Sequence, residues 1–137
     1  THFLKEDRCT AFDFGESVQN VYALSEDTEI VEYSDGEVHV SGHRYGKGRG
    51  VYLAGLPYSY ENTRLLLRSL YYSAGREQEM KRWFADNLLC EVHAYPETGK
   101  YAVVNNSQDA QNSVVYDGTG RACEVQLAGS QILWKDI

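Results

Sequence analysis

The sequence predicts an α+β chain, in which a few strands and one long helix precede a small antiparallel β-sandwich or open barrel. Three observations carry this. A glycine-centred hairpin is written between residues 29 and 41, a helix with both ends marked lies between Ser59 and Gly75, and from Leu89 onward short β-branched and aromatic runs alternate with turn residues. A chain of 137 residues suffices for one domain or two small ones.

In chain order, Asn20-Val21-Tyr22-Ala23-Leu24 reads as a first strand, broken by Ser25-Glu26-Asp27-Thr28. Glu29–Tyr33 and Glu37–Ser41 flank Ser34-Asp35-Gly36, where glycine supplies the positive φ of a tight hairpin. Gly46-Lys47-Gly48-Arg49-Gly50 reads as a flexible turn with two exposed cations. The apolar run Val51–Leu56 suits an interior strand and ends at Pro57. Ser59 stands as N-cap, Glu61 in the first turn and Gly75 as the stop of a helix. Its stripe of Leu66, Leu67, Leu70, Tyr71 and Ala74 is expected to pack on the sheet, so that Leu70→Ala should destabilise the fold and Arg68→Ala should hardly matter. A second helix is expected from Glu77 to Asp86, burying Met80, Trp83 and Phe84. Strands are predicted at 89–95, 100–105, 113–117, 122–127 and 131–135. The change of pattern near Asn87 divides the chain into residues 1–87, which amount to the last third of a doubly wound sheet, and residues 88–137.

Composition excludes several function classes. Thirteen basic against twenty acidic side chains give a net charge of −7, so a nucleic-acid surface is not expected. No apolar run approaches the ~20 residues of a membrane span, and the opening residues lack the apolar stretch of a signal peptide. Cys9, Cys90 and Cys123 are odd in number and far apart, which points to reduced thiols in a cytoplasmic protein rather than a disulfide framework or a zinc site.

The motifs that could carry chemistry each have a simpler explanation. Asp13-Phe14-Gly15 spells the magnesium-binding tripeptide of protein kinases, yet no H-R-D loop precedes it. The glycines of 46–50 precede a strand instead of opening a helix, the reverse of a phosphate-cradling loop. His39 and His43, four strand residues apart, stand roughly 13 Å from each other, too far to share a metal, and His2 and His93 have no partner at a recognised spacing. Glu29, Glu32, Asp35 and Glu37 fit the solvated face and turn of the hairpin, and Asn105-Asn106-Ser107 is a formal glycosylation sequon. Tyrosine is unusually abundant, with eleven copies; for Tyr95, Tyr101 and Tyr116, together with Trp134, core and interface packing is the commoner role and a sugar-stacking surface the alternative. No catalytic, cofactor-binding or metal-ligating residue is assigned.

The stretch YGKGRGVYLAGLPYSYENTRLLLRSLYYSAG resembles the closing strand and helix of the central glutamine-amidotransferase-like domain in the 1,3-β-galactosyl-N-acetylhexosamine phosphorylases. The resemblance continues through FDFGESVQNVYALSEDTEIVEYSDGEVHVSGHRYG before it and FADNLLCEVHAYPETGKYAVVNNSQDAQNSVVYDGTG after it, and so covers nearly the whole chain. A shorter echo, GKGRGVYLAGLPYS, is similar to trimerisation domains of some β-galactosidases, which keeps an oligomerisation domain as an alternative. The family resemblance implies a catalytic barrel first, then the α/β domain, then a small β domain, with this chain supplying the end of the second and all of the third. It implies reversible, inverting phosphorolysis of galacto-N-biose or lacto-N-biose to α-galactose 1-phosphate and N-acetylhexosamine. Inorganic phosphate is then a co-substrate and no cofactor is needed. Phosphate takes the place of activated water, so one general acid suffices; in the family that acid belongs to the barrel, and the isolated chain is expected to be inactive. The partners expected are the remainder of the parent enzyme and a second copy of the chain, joined where Val21–Leu24 and Ile30–Tyr33 lack sequence neighbours.

Overall fold

The computed structural model describes residues 2–6, 12–16 and 19–137. Cys9 lies outside them. The chain divides into two compact units, 1–77 and 78–137, so the division falls ahead of the pattern change near Asn87.

Among the described residues, the first unit holds a three-stranded antiparallel sheet with one long helix against it. Strands β1 (Glu29–Ser34) and β2 (Glu37–Tyr45) are joined by Asp35 and Gly36 at φ 53° and 79°, the paired left-handed conformation of a twist-matched two-residue hairpin. A register shift around Glu32 marks a bulge in β1. Strand β3 (Gly48–Leu53) returns along β2 after Gly46 at φ 57°, so Gly48-Arg49-Gly50 is strand and not flexible turn. Its one neighbour is β2, which makes Val51–Leu53 an edge among the described residues instead of the expected interior strand. The central position belongs to β2, whose Val38, Val40 and Gly42 are buried while the alternating His39, Ser41 and His43 are half-buried. Residues 20–24 form no strand: Asn20 turns left-handed at φ 61°, its N–H and that of Val21 donate to the Glu37 carboxylate, and Leu24 is fully exposed.

Helix α1 (Tyr60–Ala74) begins and ends where the sequence marks it. Ser59 Oγ accepts from the Asn62 N–H at 3.0 Å, and Gly75, at φ 68°, donates its N–H to the last-turn carbonyls. The buried face differs from the one expected. Asn62, Leu65, Arg68, Ser69 and Tyr72 are buried, whereas Leu66, Leu67 and Leu70 are exposed. Leu65 and Tyr72 join Leu4, Val31 and Val40 in the core, edged by Phe3, Phe12, Phe14, Val51, Leu53 and Leu56. The polar members of that face reach partners beyond the helix or along it. Asn62 Nδ2 donates to the carbonyls of Asp13 and Pro57, Arg68 Nη1 to that of Phe3, and Ser69 Oγ to that of Leu65. Periodicity locates a stripe, but the stripe that faces inward here carries polar side chains with partners, one of them the Phe3 carbonyl of the 3–10 turn Phe3–Lys5.

Helix α2 (Glu77–Met80) stops well short of Asp86. Trp83 takes a left-handed φ of 52°, and β4 (Phe84–Ala85) pairs with Tyr116 and Val115. The aromatic residues expected on a helix therefore feed a sheet. The second unit holds two three-stranded antiparallel sheets, β4-β7-β8 and β5-β6-β9, built from β5 (Cys90–Tyr95), β6 (Lys100–Asn105), β7 (Gln111–Tyr116), β8 (Ala122–Leu127) and β9 (Ile132–Asp136). Five of these strands lie where the turn residues predict them; β4 was not expected. Ala85, Cys90, Tyr101, Val103, Val115, Val125 and Leu127 come from both sheets and form one core. Burying each of its valines and its leucine contributes roughly 1.5–3 kcal/mol.

Candidate functional site

A polar cluster of the first unit joins its opening turn, β1 and α1. The Leu4 N–H donates to His2 Nδ1 at 3.2 Å, which leaves the ring proton on Nε2 to be donated to Glu29 Oε2 at 2.8 Å. The Tyr72 hydroxyl donates to the same oxygen at 3.1 Å. The His2 hydrogen bond is the main cause that holds the Glu29 carboxyl below its ordinary range, whereas burial and the neighbouring carboxylate push the Tyr72 phenol up. Both donors end on one oxygen, and Tyr72 is packed so closely over Gly42 that a Cβ there would meet its hydroxyl at 2.9 Å. The cluster is a clamp that ties the opening turn, β1 and α1 together.

Arg49 forms the second clamp. Its guanidinium pairs with Glu77, donates to the Tyr72 carbonyl at 3.4 Å and stands 5.0 Å over the Tyr72 ring, so it is not the exposed cation read from the sequence. Burial alone would raise the Glu77 pKa, but hydrogen bonds from its own N–H and from Arg49 outweigh it and the net shift is downward. Arg44, Lys47 and Arg49 line a cavity of about 150 Å³ beside Gly75. That cavity faces the C-terminal end of α1, where carbonyls point outward, so the helix field opposes an anion there.

The remaining sequence motifs make local contacts. Asp13 Oδ1 accepts from the Gly15 N–H at 2.8 Å in a local turn. His39 stacks on Phe14 with ring centroids 4.7 Å apart, and strand alternation puts it and His43 on the side of β2 opposite Val40. His93 lies 3.0 Å from Glu91 on an exposed strand face. The hairpin carboxylates are less solvated than expected: Glu32 pairs with Lys5 at 2.6 Å, and Glu37 is held below its ordinary pKa by the N–H groups of Asn20 and Val21. In the sequon, Asn105 is buried. Its Nδ2 donates to the carbonyls of Asp109 and Ala128 at 2.8 and 2.9 Å and its Oδ1 accepts from Ser107, so the amide is fully engaged. Among the described residues, no group of three or more His, Cys, Asp or Glu side chains could hold a metal ion.

In the second unit the structure sorts the four aromatic candidates. Tyr101 is buried against Trp83, and Tyr116 packs on Phe84. Tyr95 and Trp134 remain 46% and 56% exposed, with ring centroids 5.6 Å apart on the outer side of the β5-β6-β9 sheet. Register places Ala102 between His93 and Trp134, and Lys100, paired with Asp136 at 2.9 Å, beside Tyr95. A shallow depression of about 370 Å³ on the other sheet is lined by Asp86, Ser113 and Glu124. The Asp86 carboxylate there is already used by the Val114 N–H at 2.8 Å and the Ser113 hydroxyl at 3.0 Å. Asp117 closes its turn by accepting from Thr119, whose hydroxyl is the main cause of its lowered pKa. Burial raises the Cys90 thiol pKa, which keeps it an unreactive thiol. No helix among the described residues is long and apolar enough to cross a membrane.

The family model of the lacto-N-biose phosphorylase central domain matches residues 1–78, and that of the lacto-N-biose phosphorylase C-terminal domain matches residues 83–135. Two 1,3-β-galactosyl-N-acetylhexosamine phosphorylases of Lachnoclostridium phytofermentans are 42% and 43% identical over 98% and 100% of the chain. One from Bifidobacterium longum subsp. longum is 40% identical over 90% of it. The chain spans 16–19% of the length of these relatives.

Proposed function

The chain belongs to the lacto-N-biose phosphorylase family, and from that premise we propose that it is the non-catalytic C-terminal portion of a longer disaccharide phosphorylase. The longer enzyme exchanges the β-1,3 bond of a galactosyl-N-acetylhexosamine for phosphate, giving α-galactose 1-phosphate and the free hexosamine. In this reading the first unit closes an amidotransferase-like α/β domain, the two sheets of the second form a small β-sandwich, and the enzyme works in the cytoplasm.

One observation carries the non-catalytic assignment. Inverting phosphorolysis needs a carboxylic acid that is still protonated near neutral pH, hence one whose pKa is raised. Hydrogen bonds displace the pKa values of Glu29, Glu37, Glu77 and Asp117 downward, the opposite of what such an acid needs. The purified 137-residue chain, incubated with lacto-N-biose and phosphate, is expected to give no galactose 1-phosphate, and the longer polypeptide is expected to give it. Galactose 1-phosphate from the chain alone would overturn the assignment.

The exposed pair Tyr95 and Trp134 favours a second reading, in which the β unit holds sugar by stacking. Titration with galactose, N-acetylglucosamine and lacto-N-biose should then change the fluorescence of the wild-type chain and not that of Trp134→Ala. An unchanged wild-type spectrum rejects that reading.

A further inference from the structure

Helix α1 is more apolar on the side away from the sheet than on the side against it. At 100° per residue, Leu66, Leu67, Leu70 and Ala74 share a sector of roughly 100°, nearly opposite the sector of Asn62, Leu65, Arg68, Ser69 and Tyr72. Leu66, Leu67 and Leu70 are 43%, 40% and 61% exposed. A surface helix ordinarily presents the reverse distribution, and a contiguous apolar patch on an otherwise polar surface marks a contact.

The patch is too small for one kind of occupant and well suited to another. The three leucines expose on the order of 300 Å², and Tyr60 adds to this without reaching the about 800 Å² per partner of a stable pair of proteins. An element of the same polypeptide needs far less area, because its association costs no loss of translational freedom. The relatives are long enough to supply one, since this chain spans only 16–19% of them. We propose that the outer face of α1, centred on Leu67 and Leu70, is the seat of an apolar element from the polypeptide that precedes Thr1 in the longer enzyme; this rests on the chain being part of such an enzyme. The helix is then the middle layer of a three-layer arrangement, with the sheet below it and the preceding segment above.

The test places L67E/L70E in both the 137-residue chain and the longer polypeptide. Glutamate is about as good a helix former as leucine, so the change acts through the face and not through helix propensity. In the chain alone the melting temperature is expected to hold within about 1 °C, because both positions face water. In the longer polypeptide it should fall by about 5 °C or more, with faster proteolytic nicking, because two carboxylates are forced into a covered apolar contact. The milder L67M/L70M, which keeps the apolar contact, should restore both properties. An equal absence of effect in the two contexts overturns the proposal. So does a chain that is dimeric by light scattering and dissociates in L67E/L70E, since a second copy would then occupy the face. A longer polypeptide that makes galactose 1-phosphate yet tolerates the double variant unchanged removes this docking surface alone and leaves the phosphorylase reading intact.

Discussion

Replacing Arg68 should unfold the first unit more readily than replacing Leu70, the opposite of what the helical stripe suggests. The Arg68 side chain is 3% exposed, donates to the Phe3 carbonyl at 2.8 Å, reaches Glu6 at 3.3 Å and lies 4.6 Å over the Phe3 ring. Arg68→Ala deprives a carbonyl of a charged donor, worth about 1.5–3 kcal/mol, and leaves a void under the turn that seats Leu4. Glu6 is 40% exposed, so solvent screens its share and little is added for it. A loss of about 2–4 kcal/mol is expected, which in a unit of this size lowers the melting temperature by about 8 °C or more. Leu70 is 61% exposed, so Leu70→Ala should cost no more than about 0.5 kcal/mol. Circular dichroism at the helical band follows α1, while Trp83 and Trp134, both in the second unit, report any indirect effect there. Arg68→Lys should recover only part of the loss, because an ammonium keeps the charge without the planar fork or the stacking on Phe3. A larger loss from Leu70→Ala than from Arg68→Ala would refute the assignment of the buried face.

Two further outcomes follow from the polar joints. Asn105→Ala leaves the Asp109 and Ala128 carbonyls and the Ser107 N–H without their partner and should cost about 2–4 kcal/mol, read as a lower urea midpoint by tryptophan fluorescence; Asn105→Asp should not rescue it, because a carboxylate cannot donate to two carbonyls. Glu29 has a folded-state pKa below its unfolded value near 4.5, so its contribution is present above that pH and is lost as pH falls through the folded pKa. The melting temperature of the first unit should therefore drop between pH 5 and pH 3 by less in Glu29→Gln than in the wild type; identical pH profiles would show that the His2 and Tyr72 contacts contribute nothing.

Local signals made much of the fold legible. Asp35-Gly36 dictates a two-residue hairpin because both positions need positive φ, and Ser59 and Gly75 fix the ends of α1 through groups of their own. The five longer strands of the second unit were readable because each is bounded by turn residues such as Asp117 and Gly99. What failed depended on non-local partners. Residues 20–24 have strand composition, but Glu37 captures two of their N–H groups and Asn20 bends the chain. Met80, Trp83 and Phe84 fit helical spacing equally well, yet Trp83 finds Tyr101 and Phe84 finds Tyr116, both distant in sequence. Arg68 could not be read as buried, since the carbonyl that justifies its burial belongs to Phe3.

The carboxylates of this chain take their chemistry from the groups that surround them. Sequence counts acids, but a catalytic acid is defined by what surrounds it. Each of the four displaced carboxylates stands at a joint: Glu29 between the opening turn and α1, Glu37 under residues 20 and 21, Glu77 on Arg49 at the end of α1, and Asp117 inside its turn. Donors that lower these pKa values end on Glu29 Oε2, on both oxygens of Glu37, on Glu77 Oε1 and on Asp117 Oδ1. A site built to protonate a leaving group requires the opposite arrangement, with an apolar wall on one side of the acid and a free face on the other. The same hydrogen bonds that hold β1, α1 and the turns in register favour the charged form of these four carboxylates.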